Sequence, residues 1–534
     1  MLGQLFDRET GRLKNDSPID SRFTDDSTVV EAVRQVCRAF TKVESQCSPA
    51  RVERAIEGFV HTERALSSFT ISDTVHRRFI DVARYLWDVS LSGFTPDELR
   101  PKHGPGTTAE GIKGNQKYRW LTWHERLEPY FPFLGFALPL GAAGAETSEF
   151  ENVTFLQEGE ELPVKVTPVP KTMKGPRIIA IEPACMQYTQ QSLRSWLYAR
   201  IERSSISGGH VLFRDQSINQ TKALIGSENG SLATLDLSDA SDRVPLSLVQ
   251  DMFLAALGDD TLLWECILAC RSTYAKLPDG RVIGPLKKFA SMGSALCFPV
   301  EAMYFYTSCV EALLFAQNLP VTRETVETVS RDVHVYGDDL IVPSTYAVAI
   351  VERLQQYNCK VNSAKSFWTG RFRESCGLDA YGGRVVTPTY IRKLHPDNRR
   401  LDDVFISFVE TANLFYKRGY WRTSAHLFEV VERYLGPLPF VRDDTSVLGR
   451  VTFMGGRTIE RWNSSYQRFE VKGWVPMPSH RTDEVGDYSA LGKSLALLET
   501  RDFVSLDPEG QDPLHLERTA RYGVATLKRR WAEA

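Results

Sequence analysis

At 534 residues, with 42% hydrophobic and 25% charged side chains, the chain has the composition of a globular protein and not of a disordered or collagen-like polymer. Its length allows roughly three to five structural units at about 100–200 residues each. A formal net charge of −3 excludes a protein that coats nucleic acid through bulk charge, so any polyanion site is local.

The nine cysteines are odd in number and never form a Cys-x-x-Cys pair, which points to a reducing compartment. Cys266 and Cys270 lie four apart in an apolar stretch and are expected in the core, not on a metal. The N-terminus lacks a basic region followed by an apolar run. The most apolar stretch, Phe133 to Ala145, is short and broken by Pro139. The expectation is a soluble, non-secreted protein with no membrane contact, in which the sequons at Asn152 and Asn229 carry no meaning.

In chain order, Val29, Val33, Val36 and Phe40, then Val75, Phe79, Val82 and Leu86, recur at helical spacing, with Ser72-Asp73 as a helix start. This predicts a helical N-terminal region over 1–94. Residues 95–230 are punctuated by Gly and Pro, as in KHGPGTTAEG (102–111) and VTPVPKTMKGPRIIAIEP (166–183), and predict an irregular subdomain interrupted by one helix, 184–203. A strand follows in SLATLDLSDASDRV (231–244), then a helix with Leu246, Val249, Phe253 and Leu257 on one face, a turn at Pro278-Asp279-Gly280, and a long apolar helix over 294–315. RDVHVYGDDLIVP (331–343) predicts a hairpin and 346–357 a helix. The order strand, helix, helix, hairpin, helix describes an α+β core built as a split βαβ unit. Beyond Pro388 the periodicity is helical again, through Val404, Phe408, Ala412 and Phe415, and a basic helix is expected over 516–534.

Gly-Asp-Asp occurs twice, at 258–260 and 337–339. The first copy follows a helix and is expected to be its glycine cap with two solvated acids. The second lies between two β-prone runs, VHVY and LIVP, and predicts a tight turn. Adjacent carboxylates at such a turn are electrostatically costly without a cation. Asp236, at the end of the other strand, can face them. Asp236, Asp338 and Asp339 together form an oxygen-only site suited to two Mg²⁺ or Mn²⁺ ions, which about 3.5–4 Å apart clamp an in-line phosphoryl displacement. Lys171, Lys174 and Arg177, held extended by Pro and Gly, supply cations for a polyphosphate or a template backbone; alone they read as a solvated basic loop. Ser291, Gly293 and Ser294 precede the long helix. The glycine there permits close approach of a nucleic-acid backbone, and the helix N-terminus offers free N–H groups.

These segments resemble, in the correct order over about 165–393, the RNA-directed RNA polymerases of leviviruses, the replicase catalytic subunits of small RNA bacteriophages. VPKTMKGPRIIAIEP resembles the basic nucleotide-channel motif, and DQSINQ with GSLATLDLSDASD the first catalytic motif. SMGSALCFPVE resembles the template and nucleotide-binding loop and helix, YGDD the catalytic hairpin, and NSAKSFWTGRFRESCG the segment closing the palm. Outside that span only GPG at 104–106 is similar. The resemblance implies a right-hand polymerase: fingers over 95–230 with 259–290, palm over 231–258 and 291–387, thumb and C-terminal region over 388–534. It implies Asp236 and Asp338 as principal metal ligands with Asp339 weaker, two Mg²⁺ with Mn²⁺ or Ca²⁺ able to substitute in binding, and Asp242 sensing the ribose 2′-OH. Lys171, Lys174 and Arg177 would line the triphosphate channel, and Ser291, Gly293 and Ser294 the nucleotide site. Gly337 and Arg373 would contact RNA. Lys365, with Lys360 as competitor, would protonate departing pyrophosphate. Two departures stand out: Cys297 replaces the usual Thr, and Asp239 replaces a small residue. Partners implied are template RNA, ribonucleoside triphosphates, host elongation factors Tu and Ts and a ribosomal RNA-binding protein, in bacterial cytoplasm.

Three other readings compete. A reverse transcriptase shares palm and paired acids but usually has a bulky aromatic where Ser241 and Asp242 stand. Gly492-Lys493-Ser494 mimics a P-loop ending, but five residues instead of four separate it from Gly486, and no strand is expected before it. An inert RNA-binding scaffold would show no dependence on the acids.

Overall fold

The computed structural model describes residues 25–137, 152–172, 175–478, 484–485, 489–495 and 525–533. The amphipathic N-terminal spacing forms three helices, α1 (Asp26–Arg38), α2 (Pro49–Ser67) and α3 (Asp73–Leu91). Asp25 caps α1 by accepting from the Ser27 N–H, and Pro49 opens α2, where a missing N–H is harmless. α3 starts after Ser72 as expected and buries Val75, Phe79, Val82 and Leu86.

The 95–230 region is more regular than its prolines suggest. β1 (Val164–Thr172) and β2 (Gly175–Ile181) form an antiparallel hairpin. Pro168 sits opposite Ile178 and is tolerated because the far edge of β1 is paired only at Val164 and Lys165, with Ala275 and Lys276. α4 (Ala184–Arg203) spans the expected residues. α5 (Ser217–Asn229), unexpected, ends at Gly230 with φ +74°. The strand β3 (Leu232–Asp236) then leads to α6 (Leu246–Leu257), capped by Gly258 with φ +60°, so the first Gly-Asp-Asp is a helix end as expected. Cys266 and Cys270 are buried and free.

α7 (Cys297–Ala316) begins three residues later than expected and is buried along almost its whole length. β4 (His334–Tyr336) and β5 (Asp339–Pro343) form the predicted hairpin, followed by α8 (Ala347–Gln356). The sheet order is β3-β5-β4, antiparallel throughout. Beyond it lie β6 (Phe372–Ser375) and β7 (Leu378–Tyr381), then α9 (Asp402–Lys417) and α10 (Trp421–Leu435). The fold is α+β, as the element order implied.

β8 (Arg461–Asn463), β9 (Arg468–Pro478) and β10 (Ala525–Glu533) close the chain as a sheet. The basic helix expected over 516–534 is therefore corrected. Residues 525–533 are a strand paired to β9 from Glu470↔Glu533 to Pro478↔Ala525, and 516–524 lie outside the described residues. Pairing along the whole of β10 outweighs the helical preference of Leu, Lys and Arg. Gly492, Lys493 and Ser494 lie in the helical stretch 489–495, with Lys493 Nζ donating to Asn115, unlike a phosphate loop.

One hydrophobic core runs from Val75 to Cys359, so α3 shares its interior with the sheet; α9 and α10 enclose a second. Within the first core, Glu311 of α7 is fully buried. It accepts from Arg78 of α3 (2.7 Å), twice from Arg353 of α8 (2.8 Å each) and from the Tyr357 hydroxyl (2.6 Å). Burial, the largest single influence, raises its pKa, but the hydrogen bonds from Arg353, Tyr357 and Arg78 together with the Arg353 charge outweigh it and hold the carboxyl below the usual range. No described helix is long and apolar enough to cross a membrane.

Candidate active site

The strand register brings the predicted acids together. Asp236 ends β3 directly opposite Asp339, and Tyr336 pairs Asp339 across the hairpin, leaving Gly337 and Asp338 as a two-residue turn. Gly337 has φ +59° and Asp338 does not have a positive φ, the pattern of a type II′ turn. A Cβ at 337 would lie 2.4 Å from the Phe298 ring. Gly337 is buried beneath that ring and serves the turn, which corrects its expected role as an RNA contact.

The outer edge of β3 is covered by residues 360–367. Ser238 N–H donates to Lys360 O (2.8 Å), Asn362 N–H to Asp236 O (2.8 Å) and Phe367 N–H to Thr234 O (2.7 Å). This irregular strand carries both candidate lysines. Lys365 Nζ donates to Asp236 Oδ1 (3.1 Å) and Asn362 Nδ2 to Asp236 Oδ2 (2.8 Å), so a lysine from a third segment compensates the carboxylates. Burial disfavours the charge of Lys365, yet Asp236 outweighs it and raises its pKa. Lys360 instead lines the cavity beside the hairpin.

That cavity, of about 570 Å³, is also lined by Lys171, Arg177, Asp242, Glu301 and Asp338. The β1–β2 hairpin thus places its cations across from the acids. Crowding and Arg177 lower the Lys171 pKa while Asp338 and Asp236 oppose the shift. Lys174 lies outside the described residues. Asp338 opens to solvent, but the protein packed around its carboxyl, and then Asp236, raise its pKa; burial and Asp338 push Asp339 up to about 7. Glu301, one turn into α7, went unnoticed in the sequence. Burial and then Asp338 push it well above the usual range, and it accepts from the Cys297 thiol (3.6 Å). Its signal was an acid, one of two, in an otherwise apolar helix.

Asp242 sits in the short helix after β3 and accepts from Lys288 Nζ (3.0 Å) and Ser291 Oγ (3.1 Å). Lys288 is fully buried, 3.5 Å from the centroid of the Phe59 ring and 3.7 Å from Glu63. Neither Lys288 nor Glu63 had a motif to announce it. Ser291 therefore orients Asp242. Asp239, with φ +53°, pairs with Arg243 at 3.9 Å on the cavity rim.

Three further expected contact residues are engaged within the protein. A Cβ on Gly293 (φ +131°) would lie 2.0 Å from Ala180 O, so the backbone it admits is that of β2, not of RNA. Ser294 donates to Gln190 Oε1 (3.1 Å), which also takes the Ala295 N–H (3.1 Å), so these groups are engaged before any ligand arrives. Arg373 is fully buried and donates only to backbone carbonyls, among them Leu232, Gly370 and Phe372, so it braces β3 and cannot reach RNA.

Among the described residues, no group of three or more His, Cys, Asp or Glu is gathered closely enough to hold a metal ion as it stands. The donors nonetheless suit a hard divalent cation: they are carboxylate oxygens, and the mutual repulsion among Asp236, Asp338 and Asp339 is what such an ion relieves.

The sequence profile of the family described as RNA replicase, beta-chain, matches residues 151–441, more than half of the chain. The chain belongs to this RNA replicase beta-chain family. The RNA-directed RNA polymerase subunit beta of Qbeta virus (strain MX1) is 35% identical over 330 residues, covering 61% of this chain and 50% of that protein. The corresponding subunit of Escherichia virus Qbeta is 37% identical over 228 residues, covering 43% and 35%. The chain thus matches half or less of the length of these relatives. The RNA-dependent RNA polymerase of a human picorbirnavirus superposes with a TM-score of 0.35 at 11% identity, covering 51% of this chain and 55% of that one, a likeness too slight to carry weight.

Proposed function

We propose that the chain catalyses RNA-templated joining of ribonucleoside triphosphates, releasing pyrophosphate, to replicate a phage RNA genome. The observation that carries this is the register of Asp236 against Asp339, with Asp338 at the adjoining turn above a cavity whose far wall bears Lys171 and Arg177. In this reading the fingers are 95–230 with 259–290, the palm 231–258 and 291–387, and the thumb lies within 388–534.

Asp236 and Asp338, seconded by Asp339, are the ligands for two Mg²⁺, which when bound supply charge stabilisation for in-line phosphoryl transfer. The chain's own groups do the rest. Lys171 and Arg177 receive the triphosphate. Asp242, held by Lys288 and Ser291, presents an acceptor to the ribose 2′-OH. Lys365 holds Asp236 while the site is free of metal, which leaves Lys360, on the cavity wall, as the better-placed proton donor to pyrophosphate. A beta chain works in a complex; the resemblance points to host elongation factors Tu and Ts and a ribosomal RNA-binding protein, in bacterial cytoplasm.

The test is incorporation of labelled UTP and dTTP side by side on an RNA template, using the complex purified from phage-infected bacteria. Template-dependent use of UTP supports the proposal. Preference for dTTP would convert the assignment to a reverse transcriptase, and incorporation of neither would favour an RNA-binding scaffold.

A further inference from the structure

The cavity has a wall that the catalytic motifs do not provide. α2, far upstream of every motif, turns Arg54, Gly58 and His61 into the same space as Asp338, Lys171 and Arg177. Their spacing of four and three residues puts them on one helical face. The opposite face is occupied: Ile56 and Val60 pack on Ile178 and Ala180 of β2, and Phe59 covers the Lys288 ammonium that holds Asp242. α2 is therefore fixed to both the basic hairpin and the ribose-sensing acid.

Two features separate this face from an ordinary solvated one. Arg54, Lys171, Arg177 and Lys360, all lining the cavity, form no ion pair with another described residue, whereas Arg243 on its rim is paired to Asp239. Four cations around one cavity that are not held in ion pairs are available to a polyphosphate. Gly58 is the second feature. Glycine is a poor helix former, tolerated inside a helix mainly where something must come close. Here its φ is not positive, and a Cβ would meet nothing within 4 Å, so neither backbone geometry nor packing calls for it. The space above it is open, and it opens onto the cavity.

We propose that the Arg54–Gly58–His61 face of α2 is an additional contact surface for the triphosphate of the incoming nucleotide. Arg54 pairs with phosphate oxygens, His61 donates a hydrogen bond beside it, and Gly58 leaves room for the phosphates to pass. This rests on the polymerase reading for its substrate, while nucleotide binding can be measured apart from synthesis.

The experiment uses the purified replicase complex with three variants, Arg54→Ala, Arg54→Lys and Gly58→Leu. It reads equilibrium binding of labelled GTP with Mg²⁺, KM and kcat for nucleotide incorporation, and RNA affinity. Arg54→Ala and Gly58→Leu should each weaken GTP binding and raise KM about tenfold, with kcat and RNA affinity within about twofold. Arg54→Lys should recover part of the loss, because it keeps the charge without the fork. Unchanged GTP binding in both Arg54→Ala and Gly58→Leu, or a fall confined to kcat or to RNA affinity, would overturn the proposal. A wild-type complex that binds GTP through Arg54 yet makes no RNA would leave this surface standing and remove the polymerase reading instead.

Discussion

Asp242 ties the cavity to the packing beneath it. Its partner Lys288 is completely buried, so removing the carboxylate takes away the nearer of its two counter-charges and leaves only Glu63 at 3.7 Å, a destabilisation that would obscure any effect on selectivity. Ser291→Ala is the cleaner substitution. It removes one hydrogen bond worth about 1 kcal/mol and loosens the acceptor. We expect a several-fold loss of discrimination between UTP and dTTP with a melting temperature almost unchanged; equal discrimination would take Asp242 out of ribose sensing. The two lysines make a second pair. Lys360→Leu should slow incorporation roughly a hundredfold, the scale of a lost general acid, and abolish the high-pH fall of the rate profile. Lys365→Leu, by freeing Asp236, should instead alter the Mg²⁺ concentration needed for half-maximal rate. The acids and both lysines were legible because each lies in a short contiguous motif. Glu301, Lys288 and Glu63 were not, because they come from separate segments and acquire meaning only through folding.

Helices and strands position these groups through a few contacts that no motif announces. Glu311 joins α3, α7 and α8 by four hydrogen bonds inside the core. Glu311→Gln would leave Arg353 with no carboxylate partner, and we expect a loss of about 3–5 kcal/mol in urea denaturation, with the β3-β5-β4 sheet disturbed from behind. A loss under about 1 kcal/mol would show that the clamp is incidental. At this scale the sequence was readable where periodicity was local. α4, α6 and the β4–β5 hairpin lie where spacing put them, and the two Gly-Asp-Asp copies were told apart by their flanks alone. It was misleading where a partner elsewhere in the chain decides. β1 and β2 are strands despite Pro168, Pro170 and Pro176 because they pair with each other, and β10 is a strand because β9 offers an edge of matching length.

Across the whole molecule, the shared core from α3 to α8 ties the sheet that carries Asp236 and Asp338 to α3, and the buried histidines set a response to acid. Burial lowers the pKa of His103 to about 3, of His124 to about 4 and of His334 to about 3. Each folded-state value is below the unfolded value of about 6.5, so the unfolded chain takes up protons first. Stability from these residues is complete above about pH 6.5 and declines as pH falls toward 3 to 4, by about 2 kcal/mol per histidine at pH 5. His103, packed among Tyr118, Trp120 and Tyr188, gives the direct check. His103→Phe should lose about 2 kcal/mol less than wild type between pH 7 and pH 5 in urea denaturation, and an identical loss would discard the assignment. The polymerase reading requires Asp236 and Asp338 to serve one phosphoryl-transfer site. Its most direct test is the rate of single-nucleotide incorporation by Asp338→Asn, measured with RNA affinity on the same preparation. We predict a fall of at least roughly a hundredfold with RNA binding retained; near-normal turnover in that variant would contradict the mechanism.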